Sequence, residues 1–245
     1  MQSPRLNPTV PTPDISHERF RTVLIFGAPG SGKGTQGKAL GSVPRFYHCA
    51  CGDVFRQIDT RTKLGQAFLS YSSRGELVPD EVSIELWQES IRKNVDSFRF
   101  KPDLDRLVLD GIPRNVNQAR LMEAHIQVEK VFHLSCPDRA QLVARLKKRA
   151  LRDNRLDDAN ESVIRHRLET YEAETKPVLA YYGSDVVQEI DATATPARVL
   201  WEILGGILAT PAMAPDEAVD PLPMGNASAS GRGTAVLAGA EVAAP

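Results

Sequence analysis

The sequence predicts an α/β protein built on a doubly wound parallel sheet with helices on both faces. Two observations support this fold class. Short, nearly continuous apolar runs alternate with segments in which apolar residues recur at helical spacing, as buried parallel strands and their covering helices require. The first apolar run also passes directly into a glycine-rich turn that opens a helix. Because such sheets bind ligands beyond the carboxyl ends of their strands, functional residues are expected there.

Five apolar runs are the predicted strands, and they fall at 23–26, 46–48, 107–109, 131–134 and 186–191. Apolar side chains at helical spacing predict helices around 84–95, 142–146 and 199–207. Thr195 is the expected N-cap of the last helix and Pro196 its first residue. The elements therefore alternate along the chain as the fold class requires.

The bulk properties exclude several functional classes. A formal net charge of −1 over 245 residues argues against broad electrostatic attraction to nucleic acid or an anionic membrane. No apolar run approaches the roughly 20 residues that a membrane-spanning helix needs. The first twenty residues contain four prolines and no apolar core of a secretory signal. Three cysteines are too few for a disulfide framework, so a cytoplasmic protein with reduced thiols is expected.

The composition divides the chain into three parts. Residues 1–20 are a predicted flexible leader, and residues 21–209 carry the apolar periodicity of a folded domain. From 210 to 245 the chain is rich in Ala, Pro, Gly and Ser, with no aromatic residue. Such a segment buries too little apolar surface to offset its ordering entropy, so a disordered tail is expected.

The glycine-rich turn, Gly27-Ala-Pro-Gly-Ser-Gly-Lys-Gly-Thr-Gln36, predicts a phosphate site. Glycines let backbone N–H groups close around a polyphosphate, and the following helix N-terminus adds partial positive charge. Lys33 can reach the outer phosphates, as in a P-loop. One position departs from that pattern, since Gly34 stands where a Ser or Thr normally meets magnesium and the hydroxyl follows at Thr35. A nucleoside triphosphate is the predicted ligand.

A second strand end carries Asp110-Gly-Ile-Pro-Arg114. A carboxylate at the end of a buried strand is costly unless it is paired. Beside a P-loop, its natural partner is hydrated magnesium. The alternative is that Asp110 only caps the following turn.

Arginines distinguish a transferase from a hydrolase. Transfer between two phosphates brings two anions together, and guanidinium groups stay charged and grip phosphate bidentately. Arg145 and Arg149 lie four residues apart, on one helix face. The alternative is a solvated basic face shared with Lys147 and Lys148. The candidate phosphate ligands are Arg56, Arg114, Arg145, Arg149, Arg155 and Arg167.

These motifs together resemble an adenylate kinase of the short-lid type, within the nucleoside monophosphate kinase family. The resemblance spans about 21–208. It is carried by the glycine-rich turn 27–36, Cys51-Gly-Asp-Val-Phe-Arg56, Gly75-Glu-Leu-Val-Pro-Asp-Glu-Val82, Asp110–Arg114 with Gln118, Arg155-Leu-Asp-Asp158 and Arg167-Leu-Glu-Thr-Tyr171. It implies a P-loop domain with a small acceptor-binding segment at 51–80 and a lid at 149–159.

The resemblance also implies roles for individual residues. The donor ATP would be held by Gly30, Ser31, Gly32, Lys33, Gly34, Thr35, Arg149 and the backbone near Ala194. The acceptor AMP would be held by Cys51, Gly52, Arg56, Glu76, Leu77, Val78, Gly111, Ile112, Pro113, Arg114, Gln118, Arg155 and Arg167. The catalytic set would be Lys33, Asp110, Arg114, Arg145, Arg155 and Arg167. Mg²⁺ would be held by phosphates and water molecules, and Asp110 would contact one of those water molecules and not the metal itself. No zinc is expected, because no cysteine follows Cys136 and the lid is short.

Two departures from the family pattern bear on the acceptor. Ile112 replaces the usual Phe, a change in packing. Cys51 stands where adenylate-type members commonly have Thr, and a thiol is a poor hydrogen-bond donor. Gln118 favours adenine, because an amide offers both a donor and an acceptor. The predicted function is transfer from ATP to AMP by a monomer. The alternatives are a UMP/CMP-type kinase and a non-enzymatic nucleotide-dependent switch.

Overall fold

The computed structural model describes residues 19–56, 58, 61–72, 74, 76–153, 158 and 160–211. The predicted leader and tail therefore lie almost entirely outside the described residues. So do Arg155 and Gly75, and the side chain of Arg56.

All five predicted strands are confirmed in one parallel sheet; the first four are longer than the predicted runs, and the fifth begins one residue later than predicted. The strands are β1 Phe20–Gly27, β2 Phe46–Ala50, β3 Arg106–Asp110, β4 Ile126–Ser135 and β5 Val187–Asp191. Their order across the sheet is β2-β3-β1-β4-β5, with Ile25 of β1 level with Asp110 on one side and Phe132 on the other. The described part of the chain thus places β1 at the centre.

Helices separate the strands along the chain. They are α1 Lys33–Leu40, α2 Cys51–Arg56, α3 Lys63–Ser72, α4 Asp80–Asp96, α5 Val116–Met122, α6 Arg139–Asp153, α7 Glu161–Thr170, α8 Pro177–Tyr182 and α9 Pro196–Leu208, with a π-helical turn at Tyr171–Thr175. The three helices predicted from periodicity are confirmed as α4, α6 and α9. The N-cap prediction is also confirmed, since Thr195 Oγ1 accepts a hydrogen bond from the Arg198 N–H at 3.3 Å.

Alternate residues of β1 enter two different cores. Leu24 and Phe26 pack with Trp87 and Ile91 of α4, in a cluster that also includes α5 and α8 residues. On the opposite face, Val23 and Ile25 pack in a cluster with residues of α1 and α9. Helices therefore cover both faces of the sheet, which confirms the doubly wound α/β fold.

The connections diverge at the carboxyl end of β1. From β1 the chain crosses to β2 beyond β3, whereas from β3 it passes β1 to reach β4. Such a reversal leaves a crevice above the central strand, and ligands bind in crevices of this kind. Among the helices in the described ranges, none has both the length and the apolar character needed to cross a bilayer.

Candidate active site

The glycine-rich turn lies in that crevice, between β1 and α1. Gly30 and Gly32 have φ values of 87° and 101°, a left-handed region that glycine enters without penalty. Gly32 is the N-cap of α1 and supplies no capping side chain, so the first turn of the helix is left to a ligand or to solvent. At Gly30, a Cβ would lie 2.9 Å from the Leu142 carbonyl oxygen of α6. The turn is thus shaped by glycine and held against α6.

Lys33 folds back over this turn. Its Nζ donates to the carbonyl oxygens of Gly27 at 2.7 Å and Ala28 at 3.2 Å. Burial lowers the pKa of Lys33 to about 8, Asp110 opposes this shift, and nearby arginine charges reinforce it. The arginines that act on it are Arg149, Arg114 and Arg167. Cations from three other parts of the chain therefore face the lysine.

Asp110 is buried at the carboxyl end of β3. A Cβ at Gly34 would lie 3.4 Å from its Oδ2, so the carboxylate sits directly beside the start of α1. On its other side, His48 Nε2 lies 4.0 Å from the same oxygen. Burial lowers the pKa of His48. A carboxylate next to the phosphate turn fits hydrated magnesium, which binds through few carboxylates and keeps several waters.

Four predicted arginines approach the same crevice, and each has a protein partner. Arg114 Nε donates to the Gly111 carbonyl at 2.9 Å, and Arg145 Nη1 donates to the Ala192 carbonyl at 2.9 Å. The second contact places Arg145 beside the segment that leads to Ala194, the predicted contact of the donor base.

Asp158 holds the other two arginines. Its Oδ2 accepts from Arg149 Nε and its Oδ1 from Arg167 Nη1, both at 2.6 Å. Asp158 is fully buried, so the two guanidinium groups compensate a carboxylate that would otherwise be costly. One carboxylate thus fixes two candidate phosphate ligands from α6 and α7.

One cavity of about 780 Å³ joins these groups with part of the predicted acceptor side. Its lining includes most of the donor and catalytic candidates, namely Gly30, Ser31, Gly32, Lys33, Gly34, Thr35, Asp110, Arg145, Arg149, Arg167 and Ala194. The acceptor candidates in the lining are Gly52, Leu77, Gly111, Pro113 and Arg114. The structure therefore brings residues of both predicted nucleotide sites to one continuous space.

Comparison with known proteins shows the family to which the chain belongs. A family model described as adenylate kinase matches residues 25–187. The chain belongs to the adenylate kinase family. It is 36% identical to an adenylate kinase of Porphyromonas gingivalis over 188 residues, which cover 74% of this chain and 92% of the relative. An adenylate kinase of Thermobifida fusca is 35% identical over 69% of this chain and 89% of its own length, and one of Bacteroides fragilis is 33% identical over 74% and 95%.

Membership of the adenylate kinase family makes the chain a phosphotransferase. The comparisons therefore give no support to the alternative of a non-enzymatic nucleotide-dependent switch. Within the described ranges, no three His, Cys, Asp or Glu side chains are grouped so that they could hold a metal ion.

The remaining acceptor candidates differ in their exposure. Cys51, Val78 and Ile112 are buried, and a Cβ at Gly111 would lie 3.9 Å from the Cys51 Cβ. Glu76 is half-buried, and its carboxylate pairs with the Arg74 guanidinium at 2.7 Å.

Gln118 is 1% exposed. Its Oε1 accepts from the Arg114 backbone N–H at 2.8 Å, and its Nε2 donates to Asp80 at 2.8 Å. The amide that would recognise the acceptor base is therefore already oriented by the protein.

Sequence reasoning missed the roles of Asp158 and Asp80. Both stand inside motifs that carry the family resemblance, Asp158 in the lid motif and Asp80 in the acceptor segment. Asp158 binds arginines nine positions away on either side, and Asp80 binds an amide 38 positions away. A carboxylate inside a nucleotide-binding motif is the signal that could have indicated them, because such a group requires cationic or amide partners.

Proposed function

We propose that this chain catalyses the reversible transfer of a phosphoryl group from Mg-ATP to AMP, giving two ADP. The observation that carries the proposal is the single cavity in which Lys33 and its glycine-rich turn face Arg114, Arg149 and Arg167. A protein that only held a triphosphate would not need a second cationic group from the turn after β3. Two phosphate chains placed end to end would need it.

The proposed chemistry is positioning and charge stabilisation. Phosphoryl transfer passes through a loose transition state whose charge is spread over the migrating group. Lys33 follows this group from the donor side, and Arg114 holds the acceptor phosphate. Arg149 and Arg167, held near the cavity by Asp158, exchange part of that contact for phosphate oxygens. A guanidinium keeps its charge throughout, so the same groups serve both directions of the reaction.

Magnesium brought with the donor would neutralise the charge that develops during transfer. Asp110 would hold it through water, since the carboxylate lies beside Gly34 at the start of α1.

We further propose that the enzyme acts as a cytoplasmic monomer. The described residues of one chain are enough to bring donor and acceptor candidates into one cavity, so the proposed site needs no residue from a second chain. Cys49, Cys51 and Cys136, all within the described residues, form no disulfide, as is usual in a reducing compartment.

An acceptor-panel assay tests the reaction. The full chain is incubated with Mg-ATP and either AMP, CMP, UMP or GMP, and nucleoside diphosphate formation is coupled to NADH oxidation. AMP is expected to be the preferred acceptor. Preference for a pyrimidine nucleotide, or no transfer to any acceptor, contradicts the proposal.

Two substitutions test the assignment of the acceptor phosphate site. Arg114→Ala should lower kcat/KM for AMP by about 100-fold or more, because a charged hydrogen-bonding partner of the phosphate is lost. Arg120→Ala, on the exposed side of α5, removes a guanidinium outside the cavity and should retain wild-type rates. Near-normal activity of Arg114→Ala would refute its assignment.

A further inference from the structure

Asp80, the first residue of α4, accepts hydrogen bonds from three side-chain amides. The proposed mechanism gives these hydrogen bonds no role. Its Oδ1 accepts from Gln118 Nε2 at 2.8 Å and from Asn115 Nδ2 at 2.9 Å. Its Oδ2 accepts from Asn117 Nδ2 at 2.8 Å. An ionised carboxylate can only accept hydrogen bonds. Each amide must therefore turn its NH₂ group toward Asp80.

The orientation of the Gln118 amide is fixed from both ends. The Arg114 backbone N–H can only donate, so it faces the amide oxygen at 2.8 Å. Asp80 can only accept, so it faces the amide nitrogen. A primary amide has two N–H donors and an oxygen with two lone pairs. One N–H and one lone pair therefore have no partner among the described residues; Gln118 is 1% exposed and lies outside the cavity lining, so a base must first gain access to them.

We propose that Asp80 is a positioning residue for acceptor selectivity, which fixes the Gln118 amide so that it accepts a 6-aminopurine base and rejects a 6-oxopurine base. This inference rests on the proposed function. Adenine presents an exocyclic amino group beside an unprotonated ring nitrogen, which match the remaining lone pair and N–H. Hypoxanthine presents a carbonyl beside a protonated ring nitrogen, so it needs the reversed amide.

Reversal of the amide is unfavourable while Asp80 is present. It would bring the Gln118 oxygen against the Asp80 carboxylate and the NH₂ group against the Arg114 N–H. Both hydrogen bonds would be lost and both contacts would become repulsive, in a place where only 1% of Gln118 reaches solvent.

The position of Asp80 in the chain also suits this role. It follows the predicted base-contacting backbone of Glu76, Leu77 and Val78 after one proline. Ser83 Oγ, one turn into α4, donates to the Val78 carbonyl at 3.3 Å. Asp80 thus connects the acceptor segment to the start of α5, which follows directly on the turn that carries Arg114. Base and phosphate recognition therefore meet at one junction.

The test compares AMP with IMP, which differ at the discriminating edge of the base. Dissociation constants for both are measured by calorimetry on the full-length wild type and Asp80→Asn. Asparagine can face Gln118 with either its oxygen or its amino group, so only the Arg114 N–H still opposes the reversed amide. The AMP-over-IMP affinity ratio is expected to fall by about 10-fold. An unchanged ratio overturns the proposal.

Two further variants separate selectivity from folding. Asn117→Ala removes the partner of Oδ2 without touching Gln118, and it should keep the wild-type ratio. Asp80→Ser likewise removes the carboxylate that faces the Gln118 amide, and it gives the same test if Asp80→Asn does not fold. A merely structural Asp80 would weaken AMP and IMP binding by equal factors, which contradicts the proposal.

The two proposals fail in different ways. A wild type that transfers no phosphoryl group to AMP contradicts the proposed function and removes the basis for acceptor selectivity. An active wild type whose affinity ratio is unchanged by Asp80→Asn contradicts the role of Asp80 alone.

Discussion

At the scale of single residues, the site is a set of buried and half-buried charges that compensate one another. Asp158 is fully buried between Arg149 and Arg167, and the charge of Asp110, beside the start of α1, opposes the effect of burial on Lys33. Removing one member of such a pair leaves an uncompensated charge in a poorly solvated place. The cations of the site are therefore candidate phosphate ligands, and loss of any one of them is also expected to lower the free energy of unfolding.

Lys33 gives a measurable pH dependence. Burial lowers its pKa in the folded chain from 10.5 to about 8, so the unfolded chain binds more protons between these values and stability rises with pH. Relative to Lys33→Met, the free energy of unfolding of the wild type should rise by about 2 kcal/mol between about pH 7 and 9.5. Urea unfolding at a series of pH values measures this difference.

Lys38→Met is the matched control, because Lys38 is exposed on the same helix. Its stability should follow the wild type in parallel across this pH range. A Lys33→Met curve that also runs parallel to the wild type would mean that Lys33 titrates as an ordinary lysine.

Residue types and spacing were enough to predict the phosphate turn, Asp110 and the arginines, since a polyphosphate demands glycines and cations in a fixed order near strand ends. The partners of these residues were not predictable. Arg145 bonds to a backbone carbonyl 47 positions away, and Gln118 bonds to a carboxylate 38 positions away. Such pairs depend on how elements pack, which no local pattern encodes.

At the scale of elements, α9 shows how tightly a helix must approach the sheet. Gly206 faces the sheet, and a Cβ there would lie 2.7 Å from the Phe132 ring. Its neighbour Gly205 is exposed, and a Cβ there would meet nothing within 4 Å. Of these two adjacent glycines, only Gly206 is required by close packing, and Gly205 has room for a side chain.

Alanine substitutions at these positions should move stability in opposite directions. Gly205→Ala should stabilise the protein by roughly 0.5–1 kcal/mol, because alanine is the better helix former. Gly206→Ala should destabilise it by about 1–3 kcal/mol, because the methyl group overpacks against Phe132. Thermal unfolding of both variants beside the wild type measures the pair. Equal effects would show that α9 is not seated on the sheet at Gly206.

The elements that sequence reasoning assigned are those with a long apolar pattern, such as α4 and α9. The short helices α2 and α8, of six residues each, and the π-helical turn Tyr171–Thr175 were not assigned. Helices this short are marginal by themselves and form because tertiary packing stabilises them. In the turn, Tyr171 bonds to His133 and Thr175 Oγ1 donates to the Arg114 carbonyl, contacts that no periodicity reveals.

At the scale of the whole molecule, the fold assembles cations from separate stretches of chain. The turn after β1, the turn after β3, and helices α6 and α7 each contribute to one cavity. The parallel sheet makes this possible, because it brings the carboxyl ends of its strands to one edge. The central claim is that this cavity holds two nucleotides at once, with their phosphates meeting between Lys33 and Arg114.

The most direct measurement is the affinity for a diadenosine polyphosphate long enough to span both sites, compared with that for ATP. Binding of the second adenosine becomes intramolecular once the first is bound, so affinity should rise by about 100-fold or more over ATP. Arg114→Ala should remove much of that gain and leave ATP affinity near the wild-type value. Equal affinities of the wild type for the two ligands would contradict a cavity that accommodates both nucleotides together.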